Sequence, residues 1–286
     1  MKKRVLVVGL FLLFLVGLFA NSASAYSNLV VFGDSLSDNG NVKRFTDGEI
    51  WVETLSASLG TDLYDFAFGG ATTWYDNPAA AANAADEGYP DDVVTFLLNT
   101  GLQSQLAGFL PSVAGMDETL FSVWAGANDC LQFRDPTMAA LNIGMALDTL
   151  YSTGARDILV GNLPNMGSTP LMNSPFAPRT ALEASNWTIA FNAALDEVLF
   201  NFQVTHEDET LYFLDAYSIF SDYTPGSKEW GDLFWVEDGF HPSAAGHQLI
   251  ADAAYAAVAP VPEPATMFLL GAGLIGLIGF RRKNRQ

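Results

Sequence analysis

Residues 28–41 read NLVVFGDSLSDNGN, and their character changes abruptly at Gly33. A short apolar run of strand type reaches Phe32, Gly33 permits a sharp exit, and Asp34, Ser35 and Ser37 follow at once. The spacing predicts a strand over 28–32 with Ser35 opening the next helix, its hydroxyl close to a positive helix end. Working outward, residues 50–59 have helical spacing, and 63–68 alternate loosely before Gly69-Gly70, a strand meeting a tight turn. Residues 76–92 are alanine-rich and acidic, with Pro78 and Pro90, and read as a surface excursion. A helix is expected over 93–110, bounded by Asp91/Asp92 and Pro111. Strands at 120–124, 157–160 and 210–214 then alternate with helices at 137–152, 181–202 and 244–257. That rhythm predicts a parallel sheet covered on both faces, a three-layer α/β/α sandwich. No repeat and no interior linker divides the body.

The two ends are of a different kind. In residues 1–25, Lys2-Lys3-Arg4 precede an apolar run and then Ala23-Ser24-Ala25, the layout of a secretory signal with an A-x-A cleavage site. At the other end, Val261-Pro262-Glu263-Pro264 is followed by an apolar stretch over 265–280 and by Arg281-Arg282-Lys283-Asn284-Arg285. Sixteen apolar residues make about 24 Å of helix, a little short of a bilayer's ~30 Å core. This order of Pro-Glu-Pro, short span and basic end resembles the PEP-CTERM sorting signal. The resemblance implies an exosortase-type processing protease as partner and an exported protein, transiently anchored by 265–280 and released to the cell surface. The chain therefore divides into a leader at 1–25, a body at 26–259 and a sorting tail at 260–286.

The net charge of the 286-residue chain is −19, and basic residues concentrated at both ends hide a more acidic body. Residues 26–260 hold six basic against 31 acidic side chains. Such a body repels phosphate backbones, which argues against nucleic acid as a partner. Cys130 is the single cysteine, which excludes internal disulfides and cysteine-rich zinc sites. Beside the 126–129 turn it reads as a small buried apolar residue. Acidic pairs such as Asp86-Glu87 and Asp91-Asp92 read as solvated surface in preference to calcium ligands. The 34–40 run has Leu36 where a calcium loop needs an oxygen.

In open α/β sheets ligands bind beyond the carboxyl ends of the strands, so the polar residues placed there carry the chemistry. Ser35 is a candidate nucleophile. Of three histidines, His206 lies in a polar surface stretch and His247 inside a helix. His241 lies on a loop with Asp238 three residues before it, a spacing that lets the carboxylate meet Nδ1 and leaves Nε2 to take a proton. Gly126-Ala127-Asn128-Asp129 would put the Asn128 amide at the sheet edge. The turn Phe68-Gly69-Gly70 lets a backbone N–H approach a ligand, and with the Ser35 N–H this makes three donors for a developing oxyanion.

Taken together, FGDSLSDNGN (32–41), FAFGGATT (66–73), Gly126-x-Asn128-Asp129, GNLPNMG (161–167) and DGFHPSAAGHQ (238–248) resemble the blocks of the GDSL, or SGNH, hydrolase family, in its lipase/esterase branch. The resemblance spans about residues 27–258 and implies a flavodoxin-like fold. It implies Ser35 as nucleophile, His241 as base, Asp238 as third member, and Ser35, Gly69 and Asn128 as oxyanion donors, with Gly70 the alternative to Gly69. It also implies ester hydrolysis through an acyl-enzyme, with neither metal nor organic cofactor. The substrate is an ester whose class stays open among lipids, short acyl esters and acylated polysaccharides. Two further readings stand beside a secreted esterase or lipase. One is a matrix-binding component with vestigial activity, motivated by the tail and by Trp51, Trp74, Trp124, Trp187, Trp230 and Trp235. The other is acyl transfer by the same residues. Phe32, Phe66, Phe68, Trp74, Phe133 and Phe240 flank the motif turns and serve either as acyl groove or as core.

Overall fold

The computed structural model describes residues 26–109 and 115–259. The leader expected over 1–25 and the tail over 260–286, with its apolar stretch, lie outside them. Among the described residues no helix is long and apolar enough to cross a membrane.

In chain order the strands are β1 (Asn28–Gly33), β2 (Asp62–Asp65), β3 (Thr119–Trp124), β4 (Asp157–Gly161) and β5 (Thr210–Leu214). They form one parallel sheet in the order β2-β1-β3-β4-β5. β1 and β3 are central and almost wholly buried, which is why they read as unbroken apolar runs. The helices are α1 (Trp51–Leu59), α2 (Pro78–Asp86), α3 (Asp91–Leu98), α4 (Leu102–Phe109), α5 (Ala127–Leu131), α6 (Pro136–Ser152), α7 (Ala181–Thr205), α8 (Ala216–Ser221), α9 (Lys228–Gly231) and α10 (Ala244–Val258). α1 packs with α10 and α6 with α7, making the layers that cover the sheet. Leu29, Val31, Phe32, Leu120, Phe121, Val123, Ile158 and Val160 are at most 1% exposed between those layers.

Local chemistry sets most boundaries. Thr180 and Glu183 close a reciprocal cap on α7, and Asp135 and Ser243 cap α6 and α10. Three expectations need correction. The excursion at 76–92 contains α2, started by Asn77, whose side chain accepts from the Ala80 N–H, with Pro78 in the first turn. The helix expected over 93–110 is broken into α3 and α4. Gly101 there lies so close to the 74–76 backbone that an added Cβ would stand 2.5 Å from the Trp74 carbonyl oxygen. The helix expected to open at Ser35 is a single turn, with the Ser37 and Asp38 N–H groups on the Asp34 carbonyl. The Asp38 carboxylate then captures the N–H groups of Gly40, Asn41 and Val42 and draws the chain into a loop that lasts until α1.

Candidate active site

The site lies at the carboxyl ends of β1 and β3. Gly33 closes β1 so tightly against β3 that a Cβ would come within 2.4 Å of the Trp124 carbonyl oxygen. The buried Gln105 amide on α4 pairs with the Gly33 backbone as a neighbouring strand would, accepting from its N–H at 2.9 Å and donating to its carbonyl at 2.8 Å. The turn carrying Ser35 is therefore held from both sides.

Ser35 meets there two side chains of a loop some 200 residues away, His241 and Asp238. Ser35 Oγ is 2.7 Å from His241 Nε2, and His241 Nδ1 is 2.6 Å from Asp238 Oδ2. The other Asp238 oxygen accepts from the N–H groups of Phe240 and His241. Burial pushes the Asp238 carboxyl up, but the hydrogen bond and charge of His241 and those two N–H groups outweigh it, and it lies below its ordinary value. An ionised Asp238 fixes the proton on Nδ1, so Nε2 is free to accept from the serine hydroxyl. The Phe45 ring lies 4.9 Å from the imidazole, and Phe240 meets it edge-on at 5.2 Å.

Asn128 on α5 faces the same turn. Its Nδ2 donates to the Ala71 carbonyl at 3.0 Å, with a long 3.4 Å contact to Asp34 Oδ2. Gly69 is not available in the way expected: it is buried, and its N–H donates to Asp38 Oδ2 at 2.6 Å. Gly70, half-buried at φ +86°, has an N–H that meets no acceptor among the described residues, and the same holds for the Ser35 N–H. The two adjacent glycines thus differ in burial, in backbone conformation and in what their N–H groups face.

His206 packs against Tyr151 and Phe202, and His247 is buried, accepting from the Trp51 N–H, with its pKa lowered to about 3 chiefly by burial. Cys130 is fully buried. Asp86, Glu87, Asp91 and Asp92 are exposed, and no metal-holding group occurs among the described residues. Trp51, Trp124, Trp187 and Trp230 are core, whereas Trp74 is 39% exposed. Phe32 and Phe68 are core as well, and Phe133 is 64% exposed.

Gln105, Asp38 and Asp65 escaped the sequence reading, although the run Asp34–Asp38 holds a carboxylate in its last place as well as its first. Asp38 accepts four backbone N–H groups, and Asp65 accepts those of Asn39 and Ala67. Burial raises Asp34 to about 7, Asp65 to about 8 and Asp129 to about 6. These carboxyls hold protons in the folded protein that the unfolded chain, titrating near ~4, has already shed. The native state therefore binds more protons from about pH 4 to about pH 8, and stability falls as pH rises through that window. The expected melting temperature is lower by about 5 °C at pH 8.5 than at pH 5, and Asp65→Asn flattens the slope. A slope unchanged in Asp65→Asn contradicts the assignment.

The family model described as GDSL-like Lipase/Acylhydrolase matches residues 29–254, and the PEP-CTERM protein-sorting motif matches residues 260–283. The chain is 28% identical over 198 residues to the phosphatidylcholine-sterol acyltransferase of Aeromonas hydrophila, covering 62% of this chain and 55% of that one. It is 29% identical over 167 residues to Lipase 1 of Photorhabdus luminescens, covering 52% and 24%. The chain thus spans about half the length of the first relative and a quarter of the second. Among solved structures, a member of the lipolytic G-D-S-L family from Veillonella parvula superposes with TM-score 0.54 at 16% identity, covering 82% of this chain and 99% of that one. An alpha/beta hydrolase enzyme from the metagenome of Lake Arreo superposes with TM-score 0.51 at 17% identity, covering 81% and 94%. These two likenesses concern the fold.

Proposed function

Because the chain belongs to the GDSL-like lipase/acylhydrolase family, we propose that residues 26–259 form an exported serine esterase that cleaves carboxylic esters through an acyl-enzyme on Ser35. The observation that carries the reading is the hydrogen-bonded chain from Ser35 through His241 to Asp238, at 2.7 and 2.6 Å. His241 Nε2 takes the serine proton as Oγ attacks the ester carbonyl carbon, and Asp238 stabilises the imidazolium. The developing oxyanion is held by the Ser35 N–H, the Gly70 N–H and the Asn128 amide, which turns to it by giving up its long 3.4 Å contact with Asp34. Gly70 replaces Gly69 in this role because the Gly69 N–H already serves Asp38. His241 then returns the proton to the leaving alkoxide, and a water repeats the sequence to free Ser35. The PEP-CTERM motif implies processing by an exosortase-type protease and sorting to the cell surface.

A fluorophosphonate probe tests this directly: it is expected to label the protein once, at Ser35. Absence of labelling on the folded protein rejects the enzyme in favour of the matrix-binding reading. Transfer to an alcohol needs the same residues, and the relative from Aeromonas is named an acyltransferase. Turnover in the presence of glycerol separates the two outcomes by their products: free acid for hydrolysis, glyceride for transfer.

A further inference from the structure

Phe68, Gly69, Gly70 and Ala71 form a β-turn closed by the Ala71 N–H on the Phe68 carbonyl at 3.0 Å, and the turn is bonded to the site at both ends. The Phe68 N–H donates to the carbonyl of Gly33, two residues before Ser35, and the Ala71 carbonyl accepts from the Asn128 amide. With Gly70 at φ +86° in the third place and Gly69 outside the positive-φ region, the turn is of type II. Types I and II share their ends and differ by a turnover of the central peptide, here the one joining Gly69 to Gly70. Glycine in the third place enters either form, so the local sequence does not choose between them. The choice matters, because in a trans peptide the Gly69 carbonyl and the Gly70 N–H point in opposite directions. Whatever holds that carbonyl aims that N–H.

The holder is Asn77, which is fully buried. Its Nδ2 donates to the Gly69 carbonyl at 2.9 Å and to Thr100 Oγ1 at 3.0 Å. Its Oδ1 accepts from the Ala80 N–H at 3.0 Å as the cap of α2, which fixes the end of the amide that faces the turn. Its own backbone N–H donates to the Leu98 carbonyl at 2.8 Å, so main chain and side chain are both anchored. Asp38 fixes the preceding peptide through the Gly69 N–H, and among the described residues no group besides Asn77 engages the Gly69 carbonyl.

We propose that Asn77 is a positioning residue of the reaction: its amide keeps the 68–71 turn in the type II form and so keeps the Gly70 N–H turned to the oxyanion that forms on the ester carbonyl. This rests on the esterase reading above, in which Gly70 supplies that donor. A flip to type I would turn the Gly69 carbonyl oxygen toward the developing negative charge, replacing an attraction by a repulsion. The residue that starts α2 therefore has a second task, and α2 is the support against which the turn is held.

The test uses Asn77→Asp and Asn77→Ser, which both keep an oxygen that can cap α2 and remove the amide that donates to the Gly69 carbonyl. Rates are expressed per site that a fluorophosphonate labels to completion, so unfolded protein does not count. On p-nitrophenyl butyrate kcat is expected to fall about a hundredfold in both, with KM within about threefold, since the donor acts on the transition state. Affinity for a trifluoromethyl ketone falls in step. Ser35 Oγ adds to the ketone carbon, the serine proton passes to His241 and the carbonyl oxygen becomes the oxyanion, so this adduct reads the donor without turnover. Thr100→Val, which only frees the amide from its second acceptor, is the milder variant should the others fail to fold, and there kcat falls about threefold by the same route. Ala84→Gly weakens α2 from within and is the control: melting temperature drops and kcat stays. The inference is overturned by kcat unchanged in every Asn77 and Thr100 variant that folds, by a loss carried in KM, or by ketone affinity that holds while kcat falls. An equal loss of kcat in Ala84→Gly also overturns it, since the effect then belongs to the folding of α2. Wild-type protein that neither labels nor turns over the ester strikes the esterase reading itself, whereas wild-type turnover with unmoved variants strikes only this step.

Discussion

Ser35→Ala is expected to lower kcat/KM on a p-nitrophenyl ester by about 10,000-fold or more, with thermal unfolding almost unmoved. Among the described residues the hydroxyl makes a single hydrogen bond, to His241 Nε2, and Ser35 lies in a turn closed by the Asp34 carbonyl and not by its own side chain. Removing one oxygen therefore deletes the attacking atom and leaves the scaffold in place. His241→Ala should cost a comparable factor, and the double variant little more than either, because the two groups act as a unit. A Ser35→Ala protein that keeps more than a tenth of the activity would remove the acyl-enzyme from consideration.

The largest effect on stability is expected at Asp38. Its carboxylate accepts the N–H groups of Gly69, Gly40, Asn41 and Val42 at 2.6 to 3.1 Å, and its side chain is fully buried. Burial raises the Asp38 carboxyl and the four N–H groups pull it down, with burial the larger influence. Two effects therefore compete in Asp38→Ala. Deleting the carboxyl relieves its own desolvation, but it leaves four backbone donors without an acceptor, each costing about 1–3 kcal/mol where water cannot replace it. Water reaches Asn41 readily and Gly69 not at all, so the net expectation is a loss of about 3 kcal/mol, or roughly 10 °C in melting temperature. Esterase activity should fall as well, since the Gly69 anchor sets where the Gly70 N–H points. Asp38→Asn keeps the shape and one acceptor oxygen and should lie between the two. Wild-type melting and turnover in Asp38→Ala would show that the loop holds itself without this carboxylate.

These expectations separate what is written locally from what is assembled. The strands at 28–33, 119–124, 157–161 and 210–214, and the helices at 51–59, 136–152, 181–205 and 244–258, were legible because apolar period, caps and glycine breaks act within a few residues. The helix at 78–86 was missed although Asn77 and Pro78 mark its start, because alanine-rich acidic sequence lacks a strong apolar stripe. The break at 99–101 was invisible because its cause, the approach of the 74–76 backbone to Gly101, comes from elsewhere in the chain.

The amino-acid sequence alone determined the layered parallel architecture, the choice of Ser35, His241 and Asp238 as candidates that the fold brings within hydrogen-bonding distance, and the sorting motif at the end, since each rests on residue type and order. The tertiary structure decided the rest: which of two adjacent glycines keeps an unengaged N–H, and which carboxylate anchors the loop after Ser35. Each of these depends on distances between segments dozens of residues apart, and a hydrogen bond or ion pair acts only over a few ångströms of space, however far apart its partners lie along the chain.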